Sequence, residues 1–106
     1  MPQGVHIGGL VAVAFDPTGE YLLAISHSGR GVFSTRTWER LARDYEPAYP
    51  INGKSTGIGP IQGAEFDVVP LESDTAAYAT SPDGLLEVHC ESSYIAVVRD
   101  DRPHKN

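Results

Sequence analysis

The sequence predicts an all-β protein in which two tandem four-stranded antiparallel meanders pack as a small sandwich or flattened barrel. Three observations support this. Short alternating apolar runs are separated by turns, and the 106-residue chain has 11 Gly and 8 Pro to build them. No segment has the length of a stable helix. The turn sequence of residues 24–29 recurs 55 positions further along, at residues 79–84, which predicts a duplicated unit.

The first meander is expected over residues 8–44, with strands at residues 10–15, 21–26, 31–35 and 38–43. Residues 16–19, Asp-Pro-Thr-Gly, predict the first turn, because Asp begins turns, Pro presets φ and Gly accepts positive φ. Both faces of the first strand carry apolar side chains, which predicts that the strand is covered on both sides. One face would carry Val11, Val13 and Phe15, and the other Leu10, Ala12 and Ala14.

The second meander is expected over residues 63–100, with strands at residues 65–69, 76–80, 85–90 and 94–99. Residues 81–84, Ser-Pro-Asp-Gly, are a strong turn signal. The 55-residue alignment makes Tyr78 the equivalent of Leu23. Arg43-Asp44 and Arg99-Asp100 follow the two copies at nearly the same distance, and we predict that they pin strand ends. The polar tail, residues 101–106, is expected to fray.

A long Gly/Pro-rich loop, residues 45–62, joins the meanders within one predicted domain, residues 1–106. A connection of this length in a compact domain is usually functional or mobile. A plain linker is the alternative.

Composition narrows the classes of partner. A formal charge of −6 and few basic residues disfavour direct binding to nucleic acid, and the same holds for anionic membranes. Cys90 is the single cysteine, so no intramolecular disulfide is expected, which is typical of a reducing compartment. The N-terminal residues do not read as a signal peptide, and no apolar run reaches about 20 residues. We therefore expect a cytoplasmic protein.

The chemical motifs favour a protein that is not an enzyme. Residues 48–55 fit the phosphate-loop pattern, but Gly and Pro follow where that loop needs a helix. His89 and Cys90 would point to opposite faces of a strand. Ser26 and Ser81 both lie in the repeated turn, which favours a structural role over a nucleophilic one. No catalytic residue, cofactor or metal site is predicted.

The candidate partner-binding residues lie in and around the long loop. Tyr and Trp are enriched at binding hot spots, although they could equally cover the core. Acidic side chains flank a predicted turn and form either a solvated edge or a docking surface for a basic partner. The candidates are Trp38, Tyr45, Tyr49, Ile58, Glu65, Asp67, Glu72 and Asp74.

Residues 11–24 resemble the inner strand, Pro-x-Gly turn and second strand of a WD-repeat β-propeller blade. Residues 26–29 resemble its next turn, residues 31–35 its third strand and residues 38–41 its outer strand. The second copy replaces the Pro-x-Gly turn at residues 71–74, and neither copy has the Trp-Asp dipeptide. The resemblance implies blade-like sheets. Two blades cannot close a ring, so we expect either face-to-face packing in a monomer or completion by a second chain in a homodimer.

The overall plan, with residues 57–61 and 91–100, is also similar to small bacterial two-meander immunity-type proteins. That resemblance implies a protein partner, possibly a basic toxin domain. The predicted function is therefore a non-enzymatic, acidic protein–protein interaction module that neutralises a toxin. The alternatives are a small-ligand binding protein with a pocket between the sheets, and a structural or assembly subunit.

Overall fold

The fold consists of short antiparallel strands. The computed structural model describes residues 4–27, 29–44, 58–61, 68–70, 77–91 and 93–103. Within these ranges the strands are β1 (Gly4–His6), β2 (Leu10–Phe15), β3 (Tyr21–Ser26), β4 (Gly29–Ser34), β5 (Arg40–Asp44), β6 (Val68–Pro70), β7 (Ala77–Thr80), β8 (Leu86–Glu91) and β9 (Tyr94–Asp100). One 3₁₀ turn spans Gly59–Ile61.

The strands form two sheets that do not close into a barrel in the described part of the chain. The first sheet has the order β5-β4-β3-β2-β6, and the second has the order β1-β9-β8-β7. Each therefore contains a four-stranded antiparallel unit: β2 to β5 in the first sheet, and β7 to β9 completed by β1 in the second. The predicted all-β class with two four-stranded sheets is confirmed.

The two sheets share a first core between their facing sides. In β8 the buried residues alternate strictly with partly exposed ones, so one side of the strand faces the core. Burial of this apolar area supplies most of the driving force for packing the sheets together. The buried members are Leu10, Val13, Phe15, Leu22, Ala24, Ala79, Leu86, Val88, Cys90 and Ile95.

A second core covers the opposite face of the first sheet, which confirms that β2 is covered on both sides. Ile58, from the segment between β5 and β6, is buried there with an exposed fraction of 8%. The 3₁₀ turn that follows packs on β5, and an ideal Cβ on Gly59 would lie 2.5 Å from the Cβ of Ala42. The buried members are Ala12, Ala14, Leu23, Ile25, Val32 and Ile58.

A register shift at the start of β2 changes which side chains face which core. The shift lies between Leu10 and Ala12 in the pairing with β3, and such bulges break the two-residue alternation. Leu10 consequently joins Val13 in the first core, and Val11 packs against the second. The predicted placement of Leu10 and Val11 was wrong for this reason.

The duplicated unit is present, but its spacing differs from the predicted one. The turn at residues 81–86 matches the turn at residues 16–21. In each, the first amide N–H donates to the sixth carbonyl (3.1 and 2.8 Å), and the fourth N–H donates to the first carbonyl (3.0 and 2.9 Å). In each, the first side chain also accepts from the sixth N–H at 3.1 Å. The fourth residues, Gly19 and Gly84, have φ of 76° and 78°.

The hairpins that follow these turns match as well. β3 and β4 are closed by a two-residue connection between paired Ser26 and Gly29. β8 and β9 are closed in the same way between paired Glu91 and Tyr94. Both comparisons place the units 65 positions apart (81 minus 16, and 91 minus 26). The 55-residue alignment was therefore wrong, because it equated a two-residue hairpin with a six-residue turn.

Three further expectations are corrected. The outer strand of the first unit begins at Arg40 rather than Trp38, which has φ of 62° in the preceding turn. β6 pairs with β2 in the first sheet instead of opening the second, and β1, which was not predicted, pairs with β9. Of the tail, residues 101–103 are described and are anchored at Arg102, which is only 8% exposed, whereas residues 104–106 lie outside the described residues. Within the described residues, no helix has the length and hydropathy to cross a bilayer.

Candidate functional site

The second sheet presents a continuous outer face to solvent. We define the outer face as the side chains of this sheet that point away from the first core. On β8 these alternate with buried Leu86, Val88 and Cys90, and cross-strand partners lie on the same face. The register therefore places these residues on it: His6, Tyr78, Glu87, His89, Glu91 and Tyr94.

Four aromatic rings cross the outer face in one row, one from each strand. The ring of Tyr78 stacks on His89 with centroids 4.9 Å apart and an interplanar angle of 25°. His89 meets Tyr94 edge-on at 5.9 Å, and Tyr94 lies 6.4 Å from His6. Tyr78 is 58% exposed. Because each ring supports the next, the row is a pre-arranged aromatic surface and not a set of isolated side chains.

Carboxylates border this aromatic row. The Tyr94 hydroxyl donates to Glu91 Oε2 at 2.8 Å, and this hydrogen bond raises the pKa of the Tyr94 phenol. Glu91 Oε2 also lies 3.6 Å from His89 Nε2. Further along β8, Glu87 is 4.0 Å from Arg99, whose guanidinium already pairs with Asp101 at 2.7 Å. The outer face therefore combines π surfaces with more negative than positive charge.

A second feature is a cleft of about 490 Å³ between β1 and the first sheet. The cleft is open because the residues that form its floor have small side chains or none: Ala24, Ser26, Gly29 and Gly31. Val5, Ile7 and Phe33 supply apolar walls. The cleft therefore opens where the first core gives way to small residues at the end of the sandwich.

Arginines dominate the charged lining of the cleft. Arg30, Arg40 and Arg43 border it together with one acid, Asp44. Arg30 forms a two-pronged ion pair with Asp44, through Nε at 3.0 Å and Nη2 at 2.6 Å. Arg40 and Arg43 are exposed residues of β5. Among the described residues, the charged side chains that border the cleft are therefore mostly arginines, on a chain whose formal charge is −6.

The structure separates the two predicted binding residues that it describes. Trp38 packs against the first core, whereas Ile58 is buried in the second core, on the opposite face of the first sheet. They therefore do not form one surface, and Ile58 offers a partner little exposed area. The remaining candidates lie outside the described residues, and their role stays a prediction: Tyr45, Tyr49, Glu65, Asp67, Glu72 and Asp74.

The nucleophilic side chains of the described regions have structural surroundings. Cys90 is fully buried, and burial raises the pKa of its thiol to about 12. It is a core residue, as predicted, and His89 points to the opposite face. The Ser81 hydroxyl donates to Asp83 at 2.6 Å and accepts from the Leu86 amide at 3.1 Å. Within the same ranges, His, Cys, Asp and Glu side chains form no group of three suited to a metal ion.

Comparison with protein-family models, curated proteins and solved structures gives no match to this chain. The two antiparallel sheets are accordingly what is established. The WD-repeat and immunity-type families remain resemblances of the sequence.

The outer face was not predicted; a pocket between the sheets was one of the alternatives, but the residues that line the cleft were not predicted. The alternation of Glu87, His89 and Glu91 with apolar residues was a signal for a wet face, but the register of three strand pairs was needed to align the rings. The alternation of Gly29 and Gly31 along one strand was the corresponding signal for the cleft, since glycines in strands often mark a close approach by another group.

Proposed function

We propose that this chain is a non-enzymatic protein-binding module that docks a basic segment of a partner on its outer face. The observation that carries the proposal is the exposed aromatic row bordered by Glu87 and Glu91. Aromatic rings and carboxylates both attract Lys and Arg side chains. Tyrosine is also a preferred hot-spot residue, since it supplies a large contact area at low entropic cost.

The acidic character of the whole chain supports the same partner class. A formal charge of −6 favours encounter with a basic surface and disfavours an acidic one. The resemblance to immunity-type proteins makes a basic toxin domain the partner that we propose within this class. The contact would then neutralise the toxin by covering basic groups that it needs for its own activity.

The first experiment probes the outer face with a short arginine-rich peptide and its citrulline counterpart, which keeps the shape and loses the charge. We expect the arginine peptide to shift the amide resonances of Tyr78, His89 and Tyr94, and the citrulline peptide to shift them far less. Tyr78→Ala should weaken binding, whereas Leu41→Ala, a change at an exposed residue of the first sheet, should not. Equal binding of both peptides would contradict a charge-based contact.

The second experiment tests the partner class. A basic toxin domain encoded beside the gene would be co-expressed with the chain, and co-purification would be measured for the parent, Tyr78→Ala and Leu41→Ala. Loss of co-purification in Tyr78→Ala alone supports the outer face as the contact. If co-purification is unchanged in Tyr78→Ala but is lost in variants of the 45–62 loop, the result would instead support the surface predicted from the sequence.

A small-ligand binding protein is the second candidate. The cleft between the sheets favours it, because its volume of about 490 Å³ falls in the range of small-molecule sites. His6 borders both the cleft and the outer face, but the other residues named for the two surfaces differ, so a ligand role and a protein-binding role do not exclude each other.

A further inference from the structure

We propose that the basic segment of the partner binds in an extended conformation, as an added strand along the open edge of β7, with an arginine or lysine side chain on the ring of Tyr78. The inference rests on the proposed function and deepens it, because it states which part of the second sheet holds the partner and which sequence pattern the partner presents.

The open edge belongs to β7. This strand ends the order β1-β9-β8-β7, and in the described part of the chain no strand pairs with its other side. An edge strand presents backbone N–H and C=O groups, to which an extended segment of another chain can bind by adding a strand. β7 therefore offers a partner backbone hydrogen bonds directly beside the aromatic row.

The hydrogen bond of the neighbouring turn shows which backbone groups of β7 face this edge. The Ser81 amide N–H donates to the Leu86 carbonyl at 2.8 Å, and this hydrogen-bonded pair continues the register of β7 and β8. In an antiparallel ladder, such pairs alternate with pairs that exchange no hydrogen bonds. The two alanines of β7 therefore bond to β8, whereas the N–H and C=O groups of Tyr78 and Thr80 point to the open edge.

Tyr78 also carries its side chain on the outer face. Its ring stacks on His89 of β8, so the opposite ring face turns toward the open edge, and the residue is 58% exposed. A side chain that lies opposite Tyr78 on an added strand would share the outer face at cross-strand distance. A guanidinium or ammonium group there would rest on the tyrosine ring, which attracts cations.

Thr80 leaves room for a second basic side chain. Its cross-strand neighbour on β8 is Glu87, and the ion pair that Glu87 forms among the described residues is long, 4.0 Å to Arg99 Nε. The Arg99 guanidinium is held more closely by Asp101, at 2.7 Å. An arginine opposite Thr80 would extend over this short side chain towards the Glu87 carboxylate, where a charge-assisted hydrogen bond forms.

The register defines the sequence pattern of the partner. Because alternate residues of a strand point to opposite faces, the basic residues opposite Tyr78 and Thr80 are separated by one residue that turns to the inner side. Ala79, its neighbour there, is 3% exposed, so an apolar residue suits this position. We therefore expect the pattern basic–apolar–basic. A second copy of this chain is a less favourable occupant, because two chains with a formal charge of −6 repel each other.

The experiment titrates the full chain with a capped peptide, Thr-Arg-Val-Arg-Thr, and with two N-methylated forms, one methylated at both arginine amides and one at the valine amide. All three peptides have the same charge, but each N-methyl group removes a backbone donor. The arginine form blocks antiparallel addition and the valine form blocks parallel addition, because the two ladders use different amides. We expect one form to bind about tenfold more weakly and the other to bind as the unmethylated peptide does.

Hydrogen exchange locates the contact on β7. The unmethylated peptide should slow exchange of the Tyr78 and Thr80 amides, because their N–H groups face the open edge. The amides of Ala77 and Ala79, which already bond to β8, should change little. This alternation along one strand is the signature of an added strand, since binding of side chains alone would not protect every second amide.

Two variants and a control connect the result to the outer face. Tyr78→Ala and Glu87→Gln should each weaken binding about threefold or more, because the first removes the ring and the second removes the charge that attract the basic side chains. Glu39→Gln, a change at an exposed acid before β5, is the matched control for charge and should bind as the parent does. Preserved dispersion of the amide spectrum shows that each variant is folded.

The proposal is overturned if the two N-methylated peptides bind equally, or if the Tyr78 and Thr80 amides gain no protection. Concentration-dependent protection of these amides without peptide would show that a second copy occupies the edge, and it would overturn the proposal as well. If the unmethylated peptide shifts the resonances of the aromatic row but N-methylation has no effect, the added strand is refuted and the proposed function stands. Equal binding of the citrulline counterpart would instead refute the charge-based function.

Discussion

Replacement of Arg102 should loosen the connection between the two sheets at the C-terminal end. Its guanidinium donates from Nη1 to Thr35 Oγ1 and from Nη2 to the Thr35 carbonyl, both at 2.7 Å. It also donates from Nε and Nη2 to the two carboxylate oxygens of Asp100, both at 2.8 Å. Asp100 ends β9 in the second sheet, and Thr35 follows β4 in the first. Arg102 therefore joins the sheets through side-chain hydrogen bonds.

The size of the effect follows from burial. Thr35 is 0% exposed and Arg102 8% exposed, so removing the guanidinium deprives buried oxygens of a donor, at a cost of about 1–3 kcal/mol. The Asp100 side chain is 34% exposed, so water compensates for much of its lost pairing. We expect Arg102→Ala to lower the free energy of unfolding by about 3 kcal/mol, which is a large part of the total of about 5–15 kcal/mol for a domain.

Urea unfolding, followed by the fluorescence of Trp38, measures this loss. The single tryptophan packs against the first core, so its emission should report the separation of the sheets. Arg102→Met retains most of the side-chain stem and separates hydrogen bonding from packing. Arg99→Ala is the matched control, because Arg99 forms an exposed ion pair with Asp101 at 2.7 Å and should cost less than about 1 kcal/mol.

The reasoning is refuted if Arg102→Ala and Arg99→Ala lose equal stability. An Arg102→Met variant as stable as the parent would show that packing of the stem, and not the hydrogen bonds to Thr35, holds the tail.

Three other changes have defined outcomes. Hydrogen bonds from Arg102 lower the pKa of Asp100 to about 2 in the folded chain, whereas an Asp in an unfolded chain has a pKa of about 3.9. The ionised Asp100 therefore contributes its full stabilisation of the fold above about pH 3.9, and this contribution is lost as the pH falls towards 2. Unfolding free energies measured across this window should show the loss in the parent and not in Arg102→Met. The buried thiol of Cys90, with a pKa raised to about 12, should react with a thiol reagent only as fast as the chain unfolds, so rapid labelling of native protein would contradict the structure. Gly59→Ala should lower the free energy of unfolding by about 1–3 kcal/mol, because the new Cβ would lie 2.5 Å from Ala42 Cβ at a residue with φ of 55°. Gly8→Ala, whose added Cβ would have nothing within 4 Å, should lower it less in the same denaturation assay.

Local patterns predicted the strands well where alternation is long. The bounds of β2 and β3 agree with prediction, and β8 is displaced by one residue. β1 and β6 are each three residues long and are too short for a periodic signal. They exist as strands because longer neighbours offer them hydrogen-bonding edges, which only the folded chain provides.

The repeat shows how a correct local signal led to a wrong alignment. Ser-x-x-Gly occurs at residues 26–29 and at residues 81–84, yet the first closes a two-residue hairpin and the second belongs to a six-residue turn. Gly29 has φ of 146° and Gly84 has φ of 78°. Glycine permits both conformations, so the amino-acid sequence of the two segments could not distinguish the hairpin from the turn. The hydrogen bonds of the neighbouring strands decided between them.

The candidate surfaces depended still more on tertiary structure. Tyr78, His89, Tyr94 and His6 come from four strands, and their row exists only in the observed register, since a slip of one residue would turn a ring to the core side. The cleft likewise needs β1 to lie across the small residues of the first sheet.

The amino-acid sequence by itself determined the all-β class, the turns at Pro17 and Pro82 and the burial of β2 on both sides, because these depend on φ preferences and on alternation between neighbours in the chain. Only the tertiary structure decided which strands pair, which end of the chain completes the second sheet and which side chains meet across it. Hydrogen-bonded pairing joins residues that are far apart in sequence, and their mutual fit is not encoded in either segment alone.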